Sequence, residues 1–205
     1  MLISIPMGIE RFIMNGAQIV TTRVIAPLGT VAVAANSLAV TAESLCYMPG
    51  FGVAAASTTL VGQTLGAGKN DLSKSFARIT VLLGVVVMSA TGGLMYIFAP
   101  QMFDILTPDA AVQKLGVNIL RIVAFAEPFF AMSIVGAGAL RGASDTLVPS
   151  MLNLISMWGV RITLTLVLVR DYGLNGAWIA MAVELTVRGI LFLVRVLRKK
   201  WDIKV

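Results

Sequence analysis

Residues 79–99 read ITVLLGVVVMSATGGLMYIFA and contain no charged side chain. An apolar stretch of about twenty residues is long enough to cross the hydrocarbon core of a bilayer as an α-helix. The rest of the chain has the same character, because 58% of its 205 residues are hydrophobic and only 13% are charged. A soluble domain usually carries about 25% charged residues. We therefore predict an all-α integral membrane protein.

Glycine, proline and aspartate signals on both sides of this run divide the chain into six helical segments. We expect a short surface piece at 101–107, after Pro100 ends the third helix, and a basic tail at 195–205. Residues 1–205 would thus form a single six-helix transmembrane bundle. The predicted helices cover about 2–26, 31–65, 72–100, 109–140, 146–170 and 176 to the basic tail.

Two of the predicted helices contain a proline in their interior, Pro49 in the second and Pro128 in the fourth. A proline inside a helix has no N–H and frees the carbonyl four residues before it. The second helix would also measure roughly 50 Å at 1.5 Å per residue, against a hydrocarbon core of ~30 Å. We predict a helix bend at each proline.

Lysine and arginine residues predict the orientation. Nine of them fall in segments that would share one side of the membrane with both termini, and three fall on the opposite side. The side richer in Lys and Arg faces the cytoplasm in most membrane proteins, so we expect both termini there, in a plasma membrane. The net charge of +6 follows from this bias, and we predict no nucleic-acid partner.

The glycine-rich stretch at 60–71 is not a nucleotide loop, because Gly62 and Gly68 have the wrong spacing and Asn70 follows Lys69 where a P-loop needs a hydroxyl. Gly62 and Gly66 instead form a small-residue face on which helices approach closely. We predict a tight cytoplasmic turn, with Gly68 ending the helix.

Four motifs carry a resemblance to a known family. They are Met48-Pro-Gly-Phe-Gly52, Val61-Gly-Gln-Thr-Leu-Gly-Ala-Gly68, Gly138-Ala-Leu-Arg-Gly-Ala-Ser-Asp-Thr146, which includes Arg141, Gly142 and Asp145, and Met157-Trp-Gly-Val-Arg161. In this order and spacing they resemble the C-terminal half of multidrug and toxic compound extrusion (MATE) transporters, over essentially the whole chain. The resemblance implies twelve helices in two six-helix halves with pseudo-twofold symmetry, of which this chain supplies one.

The resemblance also implies an activity. Such transporters export cationic or amphiphilic drugs in exchange for Na⁺ or H⁺, through a cleft between the halves, and they need no other cofactor. We expect a transporter and not an enzyme, in contact with membrane lipids, that works with a missing N-terminal half or by self-association. Two alternatives remain: a flippase for lipid-linked substrates in the same wider superfamily, and a truncated remnant that does not transport.

Ionisable residues at bilayer depth are expensive and tend to have a partner or a function. Glu43, near Pro49, is a candidate cation, proton or substrate site, or a buried acid paired with Arg161 or Arg121. Glu10 lies where the resemblance implies an acid linked to cation coupling, or it is an interfacial acid beside Arg11. Glu127, directly before Pro128, is the third candidate.

Glu184 and Arg188 are four residues apart, which predicts a structural ion pair on one helical face. The chain has no histidine, so we expect no His-based metal or catalytic site. The one metal considered is Na⁺, at Glu10 or Glu43.

Overall fold

The computed structural model describes residues 4–199, and it describes the side chains of residue 8 and residues 12–199. Every regular element in this part of the chain is helical. The α-helices are α1 (Ser4–Ile25), α2 (Thr30–Gly66), α3 (Asn70–Leu106), α4 (Ala110–Ala124), α5 (Glu127–Gly142), α6 (Leu147–Ile155) and α7 (Thr163–Arg198); a 3₁₀ turn covers Ala26–Leu28 and a π-helical segment covers Ser156–Ile162.

The continuous helical stretch Leu147–Arg198 is folded back on itself. Gly173 interrupts it with non-helical backbone angles, φ 55° and ψ −135°. Ser156 bonds Glu184, and Arg161 contacts Met181, so the two arms run antiparallel around this glycine. The arms are the predicted fifth and sixth helices, with the turn in the predicted place.

The other predicted helices correspond to α1, α2, α3 and the pair α4–α5, which confirms the prediction of six. Length and hydropathy alone mark three membrane-crossing stretches among the described residues, at Thr30–Gly66, Asn70–Leu106 and Leu147–Arg198, and a fourth if α4 and α5 form one broken span. Length and hydropathy count the two antiparallel arms on either side of Gly173 together as one stretch.

The predicted end of the third helix at Pro100 is wrong. Helix α3 continues through Pro100 to Leu106, so 101–107 is not a separate surface piece. Phe103 is completely buried, and its ring occupies the space that a side chain at Gly116 of α4 would need. This contact holds the last turns of α3 against α4, and tertiary packing outweighs the helix-breaking tendency of one proline.

The two interior prolines behave differently. The chain bends by 57° between α4 and α5, at the break that precedes Pro128. Helix α2, in contrast, continues as one helix through Pro49. Helix α3 supports α2 on this side, because Met88 packs on Gly50 and the Thr91 hydroxyl donates to the Cys46 carbonyl at 3.2 Å. The predicted bend at Pro49 therefore does not divide α2.

Helices α2 and α5 cross in close backbone contact. A Cβ atom at Gly138 would lie 2.5 Å from the Ala54 carbonyl oxygen, and one at Gly142 would lie 2.5 Å from that of Thr58. A Cβ atom at Gly62 would lie 3.3 Å from the Gly142 carbonyl oxygen. Gly66, however, has open space around its Cβ position. The predicted small-residue face at Gly62 and Gly66 is therefore used only at Gly62.

Two turns and the C-terminal end of α7 lie at the same end of the bundle. Gly68 ends α2 in the left-handed region with φ 72°, and Lys69 N–H bonds the Thr64 carbonyl at 2.9 Å. In the second turn, Asp145 accepts hydrogen bonds from Arg195 at 2.8 Å and from Lys199 at 3.1 Å. The basic segments assigned to one side of the membrane thus share one end of the molecule.

The ion pairs at this end set the charge state of Asp145. Its partial burial acts to raise the pKa of the carboxyl group, but the hydrogen bonds and positive charges of Arg195 and Lys199 outweigh burial and hold the pKa below its usual value. The α5–α6 turn is thereby tied to the end of α7.

Candidate functional site

Glu127 begins α5 at the break between α4 and α5. Pro128 follows it inside the first helical turn, where a missing N–H costs no intrahelical hydrogen bond. The break packs against Gly92 of α3: a Cβ atom there would lie 3.0 Å from the Glu127 Cβ and 3.2 Å from the Ala124 carbonyl oxygen. Gly92 therefore makes room for the break, and the break places the Glu127 side chain in the bundle interior.

The Glu127 side chain is completely buried. Neither of its two carboxylate oxygens has a hydrogen-bond partner among the described residues. An isolated carboxylate in such surroundings is costly, so it either carries a proton or binds a cation. Glu127 is therefore a candidate residue for binding a proton or a cation.

Glu43 projects from α2 into the same interior. The residue is 2% exposed, its Oε1 atom is buried without a hydrogen-bond partner in the described part of the chain, and its charge interacts electrostatically with that of Glu127. One turn further along, the Cys46 thiol donates to the Thr91 carbonyl at 3.4 Å. This contact joins α2 to α3 next to Gly92. The same part of α3 therefore packs against Glu127 and holds the face of α2 that carries Glu43.

Glu184 shares the complete burial of Glu127 but has partners. Its Oε1 atom lies 3.1 Å from Arg188 Nε and accepts a hydrogen bond from the Ser156 hydroxyl at 2.7 Å. Arg188 also lies over the Phe130 ring, 5.6 Å from its centroid. The predicted pair of Glu184 and Arg188 is thus a contact in the structure, and it links both arms of the Gly173 hairpin to α5.

The two arginines considered as partners of Glu43 are engaged elsewhere. Arg121 lies over the Tyr96 ring, 5.3 Å from its centroid. Arg161 belongs to the π-helical segment and directs its guanidinium at the sulfur atoms of Met157, at 3.9 Å, and Met181, at 3.1 Å. The described contacts contain no ion pair between Glu43 and either arginine, although Arg161 and Glu43 attract each other electrostatically.

The remaining sequence candidate, Glu10, lies outside the described side chains. Within the described residues no three His, Cys, Asp or Glu side chains are arranged to hold a metal ion. Sequence reasoning did not identify Gly92 as part of the site. A signal for it existed, because Gly92 and Gly93 end a run of small residues, 89–93, in the middle of an apolar span, and such a run allows close helix packing.

Comparisons with known proteins decide the family. The MatE family model matches residues 6–167, which is most of the chain. The chain belongs to the MatE family. Among curated relatives, this MatE chain is 29% identical over 202 residues to the probable multidrug resistance protein NorM of Thermotoga maritima, covering 98% of the chain and 44% of that protein. It is 33% identical over 191 residues to the NorM of Xanthomonas axonopodis pv. citri, covering 91% of the chain and 41% of that protein.

Solved structures show the same fold. The Vibrio cholerae MATE transporter VcmN in its bent form superposes with a TM-score of 0.88 at 18% identity, over 96% of this chain and 45% of that one. A MATE structure in complex with MaL6 gives a TM-score of 0.90 at 18% identity, over 99% and 46% of the two chains. The MatE chain described here thus spans a little under half the length of the relatives that it matches, as expected of one six-helix half.

Proposed function

We propose that this chain is half of a secondary antiporter that exports cationic or amphiphilic compounds in exchange for Na⁺ or H⁺. The observation that carries the proposal is Glu127, a completely buried carboxyl group with no hydrogen-bond partner among the described residues. Multidrug resistance proteins of the same family support the export of drugs. In this proposal the protein is a transporter and not an enzyme.

Glu127 and Glu43 form the site of the coupling ion in this proposal, with Glu10 as a third candidate. A proton on one carboxyl group would remove the cost of burying two negative charges together. A Na⁺ ion would do the same through oxygen ligands, of which Glu43 offers one orphaned atom and Glu127 offers two. Because the groups lie on α2 and on the α4–α5 break, loading the site would act on the relative position of these helices.

A second six-helix half, or a second copy of this chain, completes the transporter in this proposal. The chain's length relative to its relatives supports the first arrangement. Transport would run through a cleft between the halves, in a plasma membrane with both termini on the cytoplasmic side. The shared end of the basic segments supports that orientation.

The test of the proposal uses Glu43→Gln in a complete transporter that contains this half. Glu43→Gln keeps the size of the side chain and removes its charge, so we expect ion-driven dye efflux from cells to fall at least tenfold while the amount of inserted protein stays unchanged. Asp171→Asn, an exposed carboxylate in the turn before Gly173, is the matched control and should retain efflux. Unchanged efflux in Glu43→Gln would contradict the assignment, and loss of the protein would indicate a structural role.

A further inference from the structure

A polar cleft lies between α1, α2, the π-helical segment and the second arm of α7. It has room for a water-sized group. Among the residues whose side chains the structure describes, Arg161 is the one charged residue in its lining, and none of them is acidic. The lining that matters for the argument is Gln18, Thr21, Asn36, Arg161, Trp178 and Met181.

Arg161, which lines the cleft, carries more hydrogen-bond donors than the described residues satisfy. The Nε atom is buried and has no partner among the described residues. The terminal nitrogens reach only the thioether sulfurs of Met157 and Met181, and a thioether is a weak acceptor. A guanidinium at membrane depth without an oxygen acceptor is costly, so a ligand that accepts hydrogen bonds would stabilise it.

A second donor in the cleft is oriented by Trp178. The indole N–H donates to the Asn36 side-chain oxygen at 3.0 Å, and this bond fixes which end of the amide is the acceptor. The Asn36 NH₂ group is therefore left to donate to a ligand. Asn36 and Arg161 together present N–H groups from two different elements, α2 and the π-helical segment, to one small space.

The two nearest acids do not complete this site. Glu184 attracts Arg161 more strongly than Glu43 does, but its carboxylate is bound to Arg188 and Ser156. Glu43 attracts Arg161 electrostatically but makes no ion pair with it in the described contacts. Arg161 lies in the π-helical segment. A π-turn rotates the residues that follow it relative to an α-helix, and such turns occur frequently at functional sites.

We infer that the Arg161 cleft is a binding site for one small monovalent anion, a halide such as chloride. The anion accepts hydrogen bonds from the Arg161 guanidinium and the Asn36 amide, beside the Trp178 indole. This site is separate from the acidic site of the coupling ion, and it does not depend on which compound is exported.

Bromide quenching of Trp178 fluorescence tests the inference directly. The chain has three tryptophans, so Trp158→Phe and Trp201→Phe leave Trp178 as the reporter. Trp178 is 2% exposed, which limits quenching by random collision. In a purified complete transporter that contains this half and has Trp178 as its one remaining tryptophan, at constant ionic strength set with a bulky sulfonate salt, bromide should quench along a saturating curve.

Arg161→Gln should weaken the apparent bromide affinity at least tenfold. The matched control is Arg121→Gln, which removes another partly buried arginine that lies outside the cleft, and its curve should equal that of the parent. Asn36→Asp provides an independent variant, because it keeps an acceptor for Trp178 while adding a negative charge; it too should weaken binding at least tenfold, and it decides the question if Arg161→Gln fails to fold.

Competition identifies the anion. Chloride should protect against bromide quenching at a lower concentration than acetate, because acetate is larger than the space in the cleft; protection by acetate at the lower concentration would contradict a halide site. Quenching of the parent that is absent or strictly linear with bromide concentration would overturn the inference, since the cleft would then hold water only. An unchanged saturating curve in folded Arg161→Gln and Asn36→Asp would overturn it as well.

Discussion

Two equally buried glutamates distinguish two regions of this molecule. Glu184, in the Gly173 hairpin, has an arginine and a serine hydroxyl on one carboxylate oxygen. Glu127, at the α4–α5 break, has no partner on either oxygen among the described residues. Burial alone therefore does not mark a functional acid. In the proposed function, the presence or absence of a fixed counter-charge separates the structural carboxylate of Glu184 from the carboxylate of Glu127, which would bind the coupling ion.

The largest expected effect on stability comes from the hairpin. Glu184→Gln leaves Arg188 buried without its counter-charge, and breaking a buried pair in this way costs about 3–5 kcal/mol. The thermal unfolding midpoint of the purified protein should fall accordingly. The double variant Glu184→Gln/Arg188→Gln should recover much of the loss. A single variant as stable as the parent would show that the pair is not what holds the hairpin to α5.

A substitution at Gly92, where α3 packs against Glu127, should have an intermediate effect on stability. Gly92→Leu places a side chain against the Glu127 Cβ and the Ala124 carbonyl, and overpacking of this kind costs about 1–3 kcal/mol. Gly93→Leu is the matched control, because open space surrounds the Cβ position at Gly93. Its unfolding midpoint should stay close to that of the parent. Equal losses in the two variants would mean that the break does not rest on Gly92.

How much of this contrast could be predicted from sequence depends on the range of the interactions. The turn at Gly173 and the helix end at Gly68 follow from local backbone preferences. The pairing of Glu184 with Arg188 follows from helical spacing. The helix through Pro100, by comparison, depends on Phe103 packing against Gly116 of another helix.

The state of Glu127 is also a tertiary property. Its position before Pro128 predicts a bend, but the lack of a partner depends on which side chains α2 and α3 bring to the break. The same holds for Arg161. The sequence left it open, beside Arg121, as a partner of Glu43, whereas in the structure its guanidinium points at two methionine sulfurs.

The smallest effect on stability is expected for a substitution of Asp145, at the end of the bundle, where water screens charges. The pKa of Asp145 is held low by Arg195 and Lys199, so this group stabilises the folded state above its unfolded pKa of about 3.9. The contribution is lost as the pH falls through the lower folded value. Asp145→Asn should therefore cost at most about 1 kcal/mol at neutral pH.

The pH dependence provides the control for this prediction. Unfolding midpoints of Asp145→Asn and the parent should differ at pH 7 and converge below pH 4. A difference that stays constant with pH would show that Asp145 acts through packing and not through its charge.

The measurement that tests the central claim most directly compares two modes of transport in Glu127→Gln. In proteoliposomes that contain a complete transporter with this half, one assay measures substrate accumulation driven by a Na⁺ or H⁺ gradient, and the other measures substrate exchange without any gradient. The account predicts that Glu127→Gln abolishes gradient-driven accumulation and retains exchange. It also predicts that the free energy of unfolding of Glu127→Gln stays within about 1 kcal/mol of that of the parent. Gradient-driven accumulation at the parent rate in Glu127→Gln would contradict it.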